Sequence, residues 1–312
     1  MSQEWRYSED IFDAHTHAVD LDALGLMVRV GSALGIRHSL LVLHEGSVRA
    51  VRDRYPAMFV FARPLYPGEL LDICNSPTRV DDVTRDGYSV LKVHFAPFWI
   101  DRLEDTGAVR PVDDPSLDCF FEAAESANIP VLIHVSDPDT YYRSRYANAA
   151  RYGTKDKHIS QFESRLSRHP GLTFQVAHFC AQPEIERLDN LDRLMRSYNN
   201  LYVDTGSARW MARELGVDPA RAHNFFVRHS RRILFGSDCV ARSDDPEYYR
   251  ARYYSERMLL ESDVRGLPLP FVDNDTVNAG GTVINGLALP DHVLRQVYWE
   301  NAQRLYGDAL GT

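Results

Sequence analysis

The chain has 312 residues, of which 44% are hydrophobic, so it can bury the core of one large barrel or of two smaller domains. Lysine and arginine total 35 and aspartate and glutamate total 44, and the net charge of −9 argues against nucleic acid as the main ligand. The first ten residues lack the character of a secretory leader, and no stretch approaches the ~18 apolar residues of a membrane span. We therefore expect a cytoplasmic protein that binds neither nucleic acid nor membrane.

Cysteine usage agrees with a reducing compartment. The spacing shows neither a thiolate zinc site nor a disulfide framework, so we expect reduced thiols. The four cysteines are widely scattered, at Cys74, Cys119, Cys180 and Cys239.

Eight short apolar or β-branched runs alternate with longer amphipathic segments. This pattern is typical of βα units around a parallel sheet, and several runs are continuously hydrophobic, as strands covered on both faces are. The predicted strands span 11–17, 39–45, 58–64, 89–95, 129–135, 172–178, 201–206 and 232–238.

The segments between these strands predict helices. Asp-Pro pairs begin the helices expected over 114–128 and 218–230, and leucines at helical spacing predict another over 182–200. A last helix is expected over 289–307, ending at a glycine. The chain is somewhat longer than the ~250 residues typical of a (β/α)₈ barrel, so we predict a single TIM-barrel domain over 1–312.

Two long stretches interrupt this alternation. Residues 136–157 are polar and aromatic and follow the fifth predicted strand, while residues 266–289 are rich in proline, glycine and asparagine. The loop after a barrel strand covers the active face, so the first stretch is predicted to be a lid or specificity loop. The second follows a helix, and its position stays open.

Ionisable residues stand near the carboxyl ends of the otherwise apolar strands, the rim where barrel enzymes do chemistry. Residues two apart on a strand point to the same face, so each close pair is expected to project together into the barrel mouth. These residues are His15 and His17 on strand 1, Lys92 and His94 on strand 4, His134 on strand 5, His178 on strand 6 and Asp238 on strand 8.

Imidazoles from several strands with one carboxylate match the ligand preferences of Zn²⁺, and also of Mn²⁺ or Fe²⁺. A single histidine at a strand end is usually an ordinary polar residue, but histidine occupies only 12 of 312 positions here and ends three separate strands. The sequence therefore predicts a metal site. Asp13 is expected to be a polar residue in the barrel or next to the ligands, and not a ligand itself. The remaining histidines are expected to have structural roles only: His38, His44, His158, His169, His223, His229 and His292.

Five motifs, in order, resemble those of the amidohydrolase superfamily: "DAHTH", "VLKVH", "PVLIH", "FQVAHF" and "ILFGSD", followed by the closing "WENAQRLYG". They are most similar to the branch that contains aminocarboxymuconate-semialdehyde decarboxylase, γ-resorcylate decarboxylase and several lactone hydrolases. The resemblance implies that His15, His17, His134 and Asp238 hold a divalent metal. It makes His178 a further ligand or a nearby acid–base group, and Asp238 the catalytic proton acceptor.

The resemblance also implies two arrangements at Lys92. In two-metal members of the superfamily a carbamylated lysine on strand 4 bridges the ions, with both further histidines as ligands. Members of the closest branch commonly carry such a lysine with one ion, so we favour one ion, with zinc ahead of manganese or iron.

Candidates for substrate binding are guanidinium and aromatic groups near the rim, a combination that suits a carboxylate on a cyclic substrate. For each arginine among them, the alternative is an ordinary solvated side chain at the barrel rim. The candidates are Arg63, His94, Tyr141, Tyr142, Arg143, Arg145, Arg209 and Trp210.

The sequence thus predicts a metal-dependent hydrolase, in which activated water attacks an amide, lactone or related bond of a small carboxylated molecule. The same ligands would serve a non-oxidative decarboxylase (lyase) of an aromatic or unsaturated acid, so the reaction stays open. A dinuclear oxygenase and a non-catalytic binding barrel are further alternatives. We expect a homo-oligomer whose partner is a small-molecule substrate.

Overall fold

The computed structural model describes residues 5–75, 78–103 and 109–310. Nine strands among them form one sheet in which every neighbouring pair is parallel. The strands are β1 Ile11–Ala18, β2 Ile36–Leu43, β3 Phe59–Pro64, β4 Val90–His94, β5 Val131–His134, β6 Phe174–Val176, β7 Leu201–Asp204, β8 Ile233–Leu234 and β9 Cys239–Ala241.

The sheet closes into a barrel because the eighth strand has two pieces: β8 lies within the predicted strand 232–238, and β9 begins directly after it. β8 pairs with β7, and β9 pairs with β1 on the other side of the break. Backbone hydrogen bonds bridge the break itself, from Ala14 N to Phe235 O (2.7 Å) and from Asp238 N to His15 O (2.8 Å). The predicted TIM barrel is confirmed, and its last strand is interrupted where the predicted ligand Asp238 lies.

Helices surround this sheet and fill the intervals that the amphipathic segments predict. Between Asp291 and Tyr306 the chain is helical throughout, with a π turn over Gln296–Glu300. The helices are α1 Leu21–Ala33, α2 Val48–Arg54, α3 Pro67–Asn75, α4 Thr78–Arg85, α5 Asp118–Ser126, α6 Asp139–Tyr142, α7 Ala149–Tyr152, α8 Lys155–Arg168, the single turn α9 Ala177–Cys180, α10 Leu188–Ser197, α11 Ala208–Leu215, α12 Pro219–His229, α13 Pro246–Glu261, α14 Asp291–Arg295 and α15 Asn301–Tyr306.

Local sequence explains where several of these helices begin. The Asp218 side chain accepts a hydrogen bond from the amide of Arg221, and Pro219 takes the first helical position of α12. α13 begins in the same way, with Asp245 as the cap and a proline after it. The polar cap satisfies an amide that has no partner within the helix, so the Asp-Pro pairs locate these starts.

Apolar side chains fill the barrel below its rim. Alternate residues of the strands point inward, and the last helix closes the end opposite the rim with Tyr306, whose hydroxyl donates to Oε1 of Gln175 (2.5 Å). The interior therefore has a packed floor, and polar side chains project into the mouth from the carboxyl ends of the strands. The inward apolar set is Phe12, Ala14, Leu40, Val42, Val60, Ala62, Val90, Leu132, Ala177 and Leu234.

The two long stretches predicted as loops meet above the rim. Residues 136–157 contain the short helices α6 and α7, and residues 266–289 contain the two-stranded ladder β10 Leu267–Pro268 with β11 Val283–Ile284. The buried guanidinium of Arg213 joins them, because it contacts Asp273 (2.7 Å), Asp275 (3.1 Å) and Thr140 (3.2 Å). The second stretch, whose position the sequence left open, thus lies on the active face.

The expectation of four reduced thiols is wrong for two of them. Cys74 and Cys119 form a disulfide, with their Cα atoms 5.2 Å apart although 45 residues separate them in sequence. Helices α3 and α5 pack side by side and bring the two together, a proximity that sequence spacing does not reveal. Cys180 and Cys239 are free and buried.

Among the helices in the described ranges, none is both long enough and apolar enough to cross a membrane.

Candidate active site

A cavity of about 450 Å³ opens at the carboxyl ends of the barrel strands. It contains all seven ionisable residues that the sequence placed at the strand ends. Its lining is His15, His17, Lys92, His94, Phe98, His134, Asp137, Tyr141, Arg145, Tyr146, His178, Ser207, Arg209, Trp210, Asp238 and Val240.

The two histidines of strand β1 reach this cavity through a change in strand register. Phe12 and Ala14 point into the barrel floor, and the pairing between β1 and β2 shifts between Asp13 and Thr16. A bulge of this kind reverses the alternation of side chains, so His15 and His17 point into the barrel after Ala14 does. The inner face therefore changes from apolar to metal-ligating within one strand.

Three potential ligand atoms converge at this point. Nε2 of His15 lies 3.1 Å from Nε2 of His17, and Oδ1 of Asp238 lies 3.6 Å and 3.3 Å from these two nitrogens. Nζ of Lys92 is 3.2 Å from the same His15 nitrogen. Two imidazoles and a carboxylate directed at one another form a donor set that a divalent cation satisfies.

A buried carboxylate sets the orientation of His15. Oδ2 of Asp204 lies 3.1 Å from Nδ1 of His15 and accepts from Nε2 of Gln175 (2.8 Å), while Oδ1 accepts from the amides of His178 (2.9 Å) and Gly206 (3.0 Å). Because Asp204 can only accept, it favours the proton of His15 on Nδ1 and leaves the lone pair on Nε2. Burial opposes its ionisation, but His15, His178 and Gln175 together outweigh burial and hold the pKa of Asp204 below its usual value.

His17 has a partner on its far side as well. Its Nδ1 lies 2.9 Å from Nε2 of His44, and Nδ1 of His44 lies 3.2 Å from the hydroxyl of Tyr66. His44 follows strand β2 directly, so the strand-end criterion applied to the other histidines could have found it. His44, to which the sequence assigned a structural position, thus contacts a predicted ligand without lining the cavity.

Burial keeps these imidazoles neutral. Burial, with Lys92 adding to it, lowers the pKa of His15 to about 4, and burial likewise lowers that of His17. Burial also lowers the pKa of Lys92 to about 8. Burial disfavours the charge of Asp238, but the hydrogen bond from His17 and the electrostatic contacts with His15, His178 and His17 together outweigh it, so its pKa lies well below the usual range. The site thus offers neutral nitrogens and an ionised carboxylate, the forms that bind metal.

His134 and His94 form a second group on the cavity wall. Their rings stack with centroids 4.1 Å apart, and Nε2 of His134 lies 3.1 Å from Oδ1 of Asp137. Oδ2 of Asp137 accepts from the hydroxyl of Tyr146 (3.0 Å). Asp137, which follows strand β5 in "HVSDP", was missed in the sequence although it stands beside the rim. His134 lines the cavity but lies outside the converging set of His15, His17 and Asp238.

His178 occupies a strained turn. Strand β6 ends at Val176, and His178, Phe179, Cys180 and Ala181 follow with φ between +54° and +58°. The left-handed region costs a non-glycine residue roughly 1–2 kcal/mol, so four in succession mark a conformation that the surrounding structure imposes. The turn places the His178 ring between His15 (centroids 5.4 Å apart) and Trp210 (4.9 Å).

Two glycines allow the backbone to approach these side chains. A Cβ at Gly206 would lie 2.9 Å from Nδ1 of His178 and 3.1 Å from Nδ1 of His15. A Cβ at Gly236 would lie 3.0 Å from Cβ of His15 and 3.1 Å from Cβ of Asp204. Any side chain at either position would displace the site, which explains the glycines in "DTGS" and "FGSD".

Guanidinium and aromatic groups also line the cavity. Nη2 of Arg209 lies 3.4 Å from the hydroxyl of Tyr141, and the Arg209 guanidinium lies 5.8 Å from the ring centre of its neighbour Trp210. Arg145 lies 4.3 Å from the ring centre of Tyr141. This wall can hold an anionic group of a substrate.

Three predicted substrate-binding residues, Arg63, Tyr142 and Arg143, do not line the cavity. Val60 and Ala62 point into the barrel, so alternation along β3 turns Arg63 away from it. Arg143 is exposed and is not part of the cavity lining, whereas Arg145, two residues later, is. The three predictions are corrected, because strand parity and the course of the loop decide the directions of these side chains.

The model of the amidohydrolase family matches residues 100–307. The chain therefore belongs to the amidohydrolase family, as its motifs indicated, and it is an enzyme of that superfamily. No curated protein sequence matches the chain.

Three solved structures of similar fold show which activities this barrel supports elsewhere. A protein from Pseudomonas putida assigned as a 2-pyrone-4,6-dicarboxylic acid hydrolase is 12% identical, with a TM-score of 0.58 over 96% of this chain and 98% of its own. A 5-carboxyvanillate decarboxylase from Novosphingobium aromaticivorans, complexed with manganese and a nitrobenzoic acid, is 12% identical (TM-score 0.52, 96% of both chains). A Burkholderia multivorans amidohydrolase with bound zinc is 12% identical (0.52, 96% and 99%). At these identities the likeness establishes the fold.

Proposed function

We propose that the chain is a metal-dependent hydrolase of a small carboxylated molecule. The observation that carries the proposal is the convergence of His15 Nε2, His17 Nε2 and Asp238 Oδ1, with the His15 lone pair directed inward by Asp204. Zinc- and manganese-containing structures of the same fold support a divalent ion at this place.

One ion fits the donor set better than two. A second set of potential ligands comprises His15, His178 and Asp204, but each oxygen of Asp204 already has two neighbouring donors. A cation there would have to replace hydrogen bonds that hold the two strands together. We therefore propose a single ion held by His15, His17 and Asp238, with zinc as the first candidate. His134, which the sequence resemblance also implied as a ligand, lies on the cavity wall with its Nε2 3.1 Å from Oδ1 of Asp137.

A bound divalent ion would supply Lewis acidity, which lowers the pKa of water and polarises a carbonyl. The residues around the ion would transfer protons and bind the substrate. Asp238 is ionised and its side chain is 31% exposed to the cavity, so it can take a proton from attacking water and pass it to the leaving group. The His178 ring lines the same space and can hydrogen-bond the substrate oxygen.

Arg209, Arg145 and Tyr141 would hold the substrate carboxylate. This arrangement fixes an acid substrate with its reactive bond toward Asp238, and the proximity supplies part of the rate enhancement.

Decarboxylation is the second candidate, because the same cavity can accept an aromatic acid and a decarboxylase shares the fold. The two reactions make opposite demands on Asp238, which must accept a proton in hydrolysis and deliver one to carbon in decarboxylation. We place hydrolysis first because an ionised Asp238 can take a proton from water directly, whereas delivery of a proton to carbon requires Asp238 to be protonated beforehand. A dinuclear oxygenase would need the second ion that the hydrogen bonds of Asp204 disfavour.

The test begins with metal analysis of protein purified without chelator, together with mass spectrometry for a carbamyl group on Lys92. Lactones, amides and aromatic acids are then screened for hydrolysis and for CO₂ release, with and without chelator. We expect one divalent ion per chain, chelator-sensitive hydrolysis, and a loss of about 10²–10⁴-fold in kcat for Asp238→Asn. Asp192→Asn, which alters a carboxylate remote from the cavity, is the control. Turnover that survives metal removal would contradict the proposal.

A further inference from the structure

A second cavity of about 240 Å³ adjoins the active site beyond Asp238. Ser207, Arg209, Asp238 and Val240 line both cavities, so the two adjoin at the candidate metal ligand. The far side of the second cavity is lined by Arg242, Tyr248, Arg252, Phe271 and Val272.

Aromatic rings hold the guanidinium groups of this cavity in place. The Arg252 guanidinium lies 3.7 Å from the ring centre of Tyr248 and 4.8 Å from that of Phe271, and its Nη1 donates to the carbonyl of Tyr248 (2.6 Å). Arg242 lies 5.4 Å from the Tyr248 ring centre. Two arginines therefore share one tyrosine, and part of their hydrogen-bonding capacity remains free for a ligand.

These arginines lack the carboxylate partners that other arginines of the chain have. Arg213 contacts Asp273, Asp275 and Glu214, and Arg250, on the same helix as Arg252, pairs with Glu247. Within the described ranges, neither Arg242 nor Arg252 forms a salt bridge, and Asp238 is the one acidic residue in the lining. In a chain with a net charge of −9, this leaves a local positive charge beside the active site.

We propose that the substrate carries a second carboxylate, remote from the reacting bond, and that Arg242 and Arg252 bind it. The inference rests on the proposed function, because the first part of the substrate occupies the cavity of the metal site. Two guanidinium groups of like charge around one tyrosine bind a carboxylate by charge-assisted hydrogen bonds and lose their mutual repulsion when it arrives. The substrate class is accordingly an elongated dicarboxylic acid.

The experiment measures the binding of matched acids to the zinc-loaded enzyme by calorimetry. The probes are benzoate, benzene-1,3-dicarboxylate, biphenyl-4,4′-dicarboxylate and an untethered mixture of benzoate and acetate. We expect at least one dicarboxylate to bind about tenfold more tightly than benzoate, as one charge-assisted contact allows, and the mixture to bind no better than benzoate.

Arg242→Gln, an exposed substitution that should leave the fold intact, is expected to remove most of that preference. The double variant Arg242→Gln/Arg252→Gln should bind dicarboxylates and benzoate alike, with benzoate affinity unchanged. Arg250→Gln, on the same helix and outside the cavity, is the matched control and should behave as the unsubstituted enzyme does.

Two results would overturn the inference: no dicarboxylate binds more tightly than benzoate, or the preference survives in Arg242→Gln and in the double variant. Metal content, measured on every sample, tests the proposed function separately. A chain that binds no zinc contradicts the metal site, while an arginine-dependent preference for dicarboxylates in that same metal-free protein would still support the second carboxylate site.

Discussion

Replacing Asp204 with asparagine tests whether this carboxylate prepares His15 for metal. Asp204 accepts three hydrogen bonds, and its Oδ2 also lies 3.1 Å from Nδ1 of His15, whereas asparagine keeps a single oxygen. With its amide nitrogen in place of Oδ2, it would face Nε2 of Gln175 and Nδ1 of His15, two groups that donate. A flip of the Gln175 side-chain amide would break another hydrogen bond, because its Oε1 accepts from the hydroxyl of Tyr306.

His15 is then expected to move its proton to Nε2, where it blocks the lone pair that a cation needs. Loss of such an orienting partner typically costs 10–100-fold in metal affinity or activity, or about 1.4–2.7 kcal/mol. The buried donors left without acceptors should lower the free energy of unfolding by about 1–3 kcal/mol.

Competition for zinc with a chromophoric chelator measures the affinity, and urea denaturation of the metal-free protein measures the stability. Asp192→Asn is the matched control, because Asp192 also accepts from a buried histidine, His229 (2.8 Å), at a place remote from the cavity. If Asp204→Asn folds and binds zinc within about twofold of the unsubstituted chain, the proposed role of Asp204 is refuted.

Three further outcomes are expected. Gly236→Ala should lower both stability, by about 1–3 kcal/mol in urea denaturation, and zinc content, because the new Cβ meets Cβ of His15 and of Asp204; Gly68→Ala, with open space around it, should change neither. Arg209→Ala should raise KM for the true substrate more than it lowers kcat, and unchanged steady-state kinetics would remove it from the site. In the metal-free protein His15 has a pKa of about 4 against an ordinary 6.5, so between these values the unfolded state binds more protons. Stability should therefore fall as pH drops from 6.5 to 4, by up to about 3 kcal/mol, and a pH series of urea denaturation should show a shallower fall for His15→Asn.

The sequence by itself determined the architecture and the composition of the rim. Continuous apolar runs that alternate with amphipathic segments require a parallel sheet covered by helices, and polar residues can occur in such strands only where the strands leave the core. For this reason the strand-end positions of His15, His17, Lys92 and Asp238 could be predicted before any coordinates were known. The same criterion, applied to every strand, would also have found His44 and Asp204.

Only the tertiary structure decided which of these atoms face one another. The register shift in β1 turns His15 and His17 inward after Ala14, and the break in the eighth strand sets Asp238 beside them. Arg63 was placed wrongly because its direction depends on strand parity.

The second cavity was equally hidden in the sequence. Its arginines lie outside the barrel strands or at their edge, and its wall includes Phe271 from a loop whose position depends on the buried contacts of Arg213. Local sequence determines which residues leave the core, but the packing of segments distant along the chain determines which side chains meet.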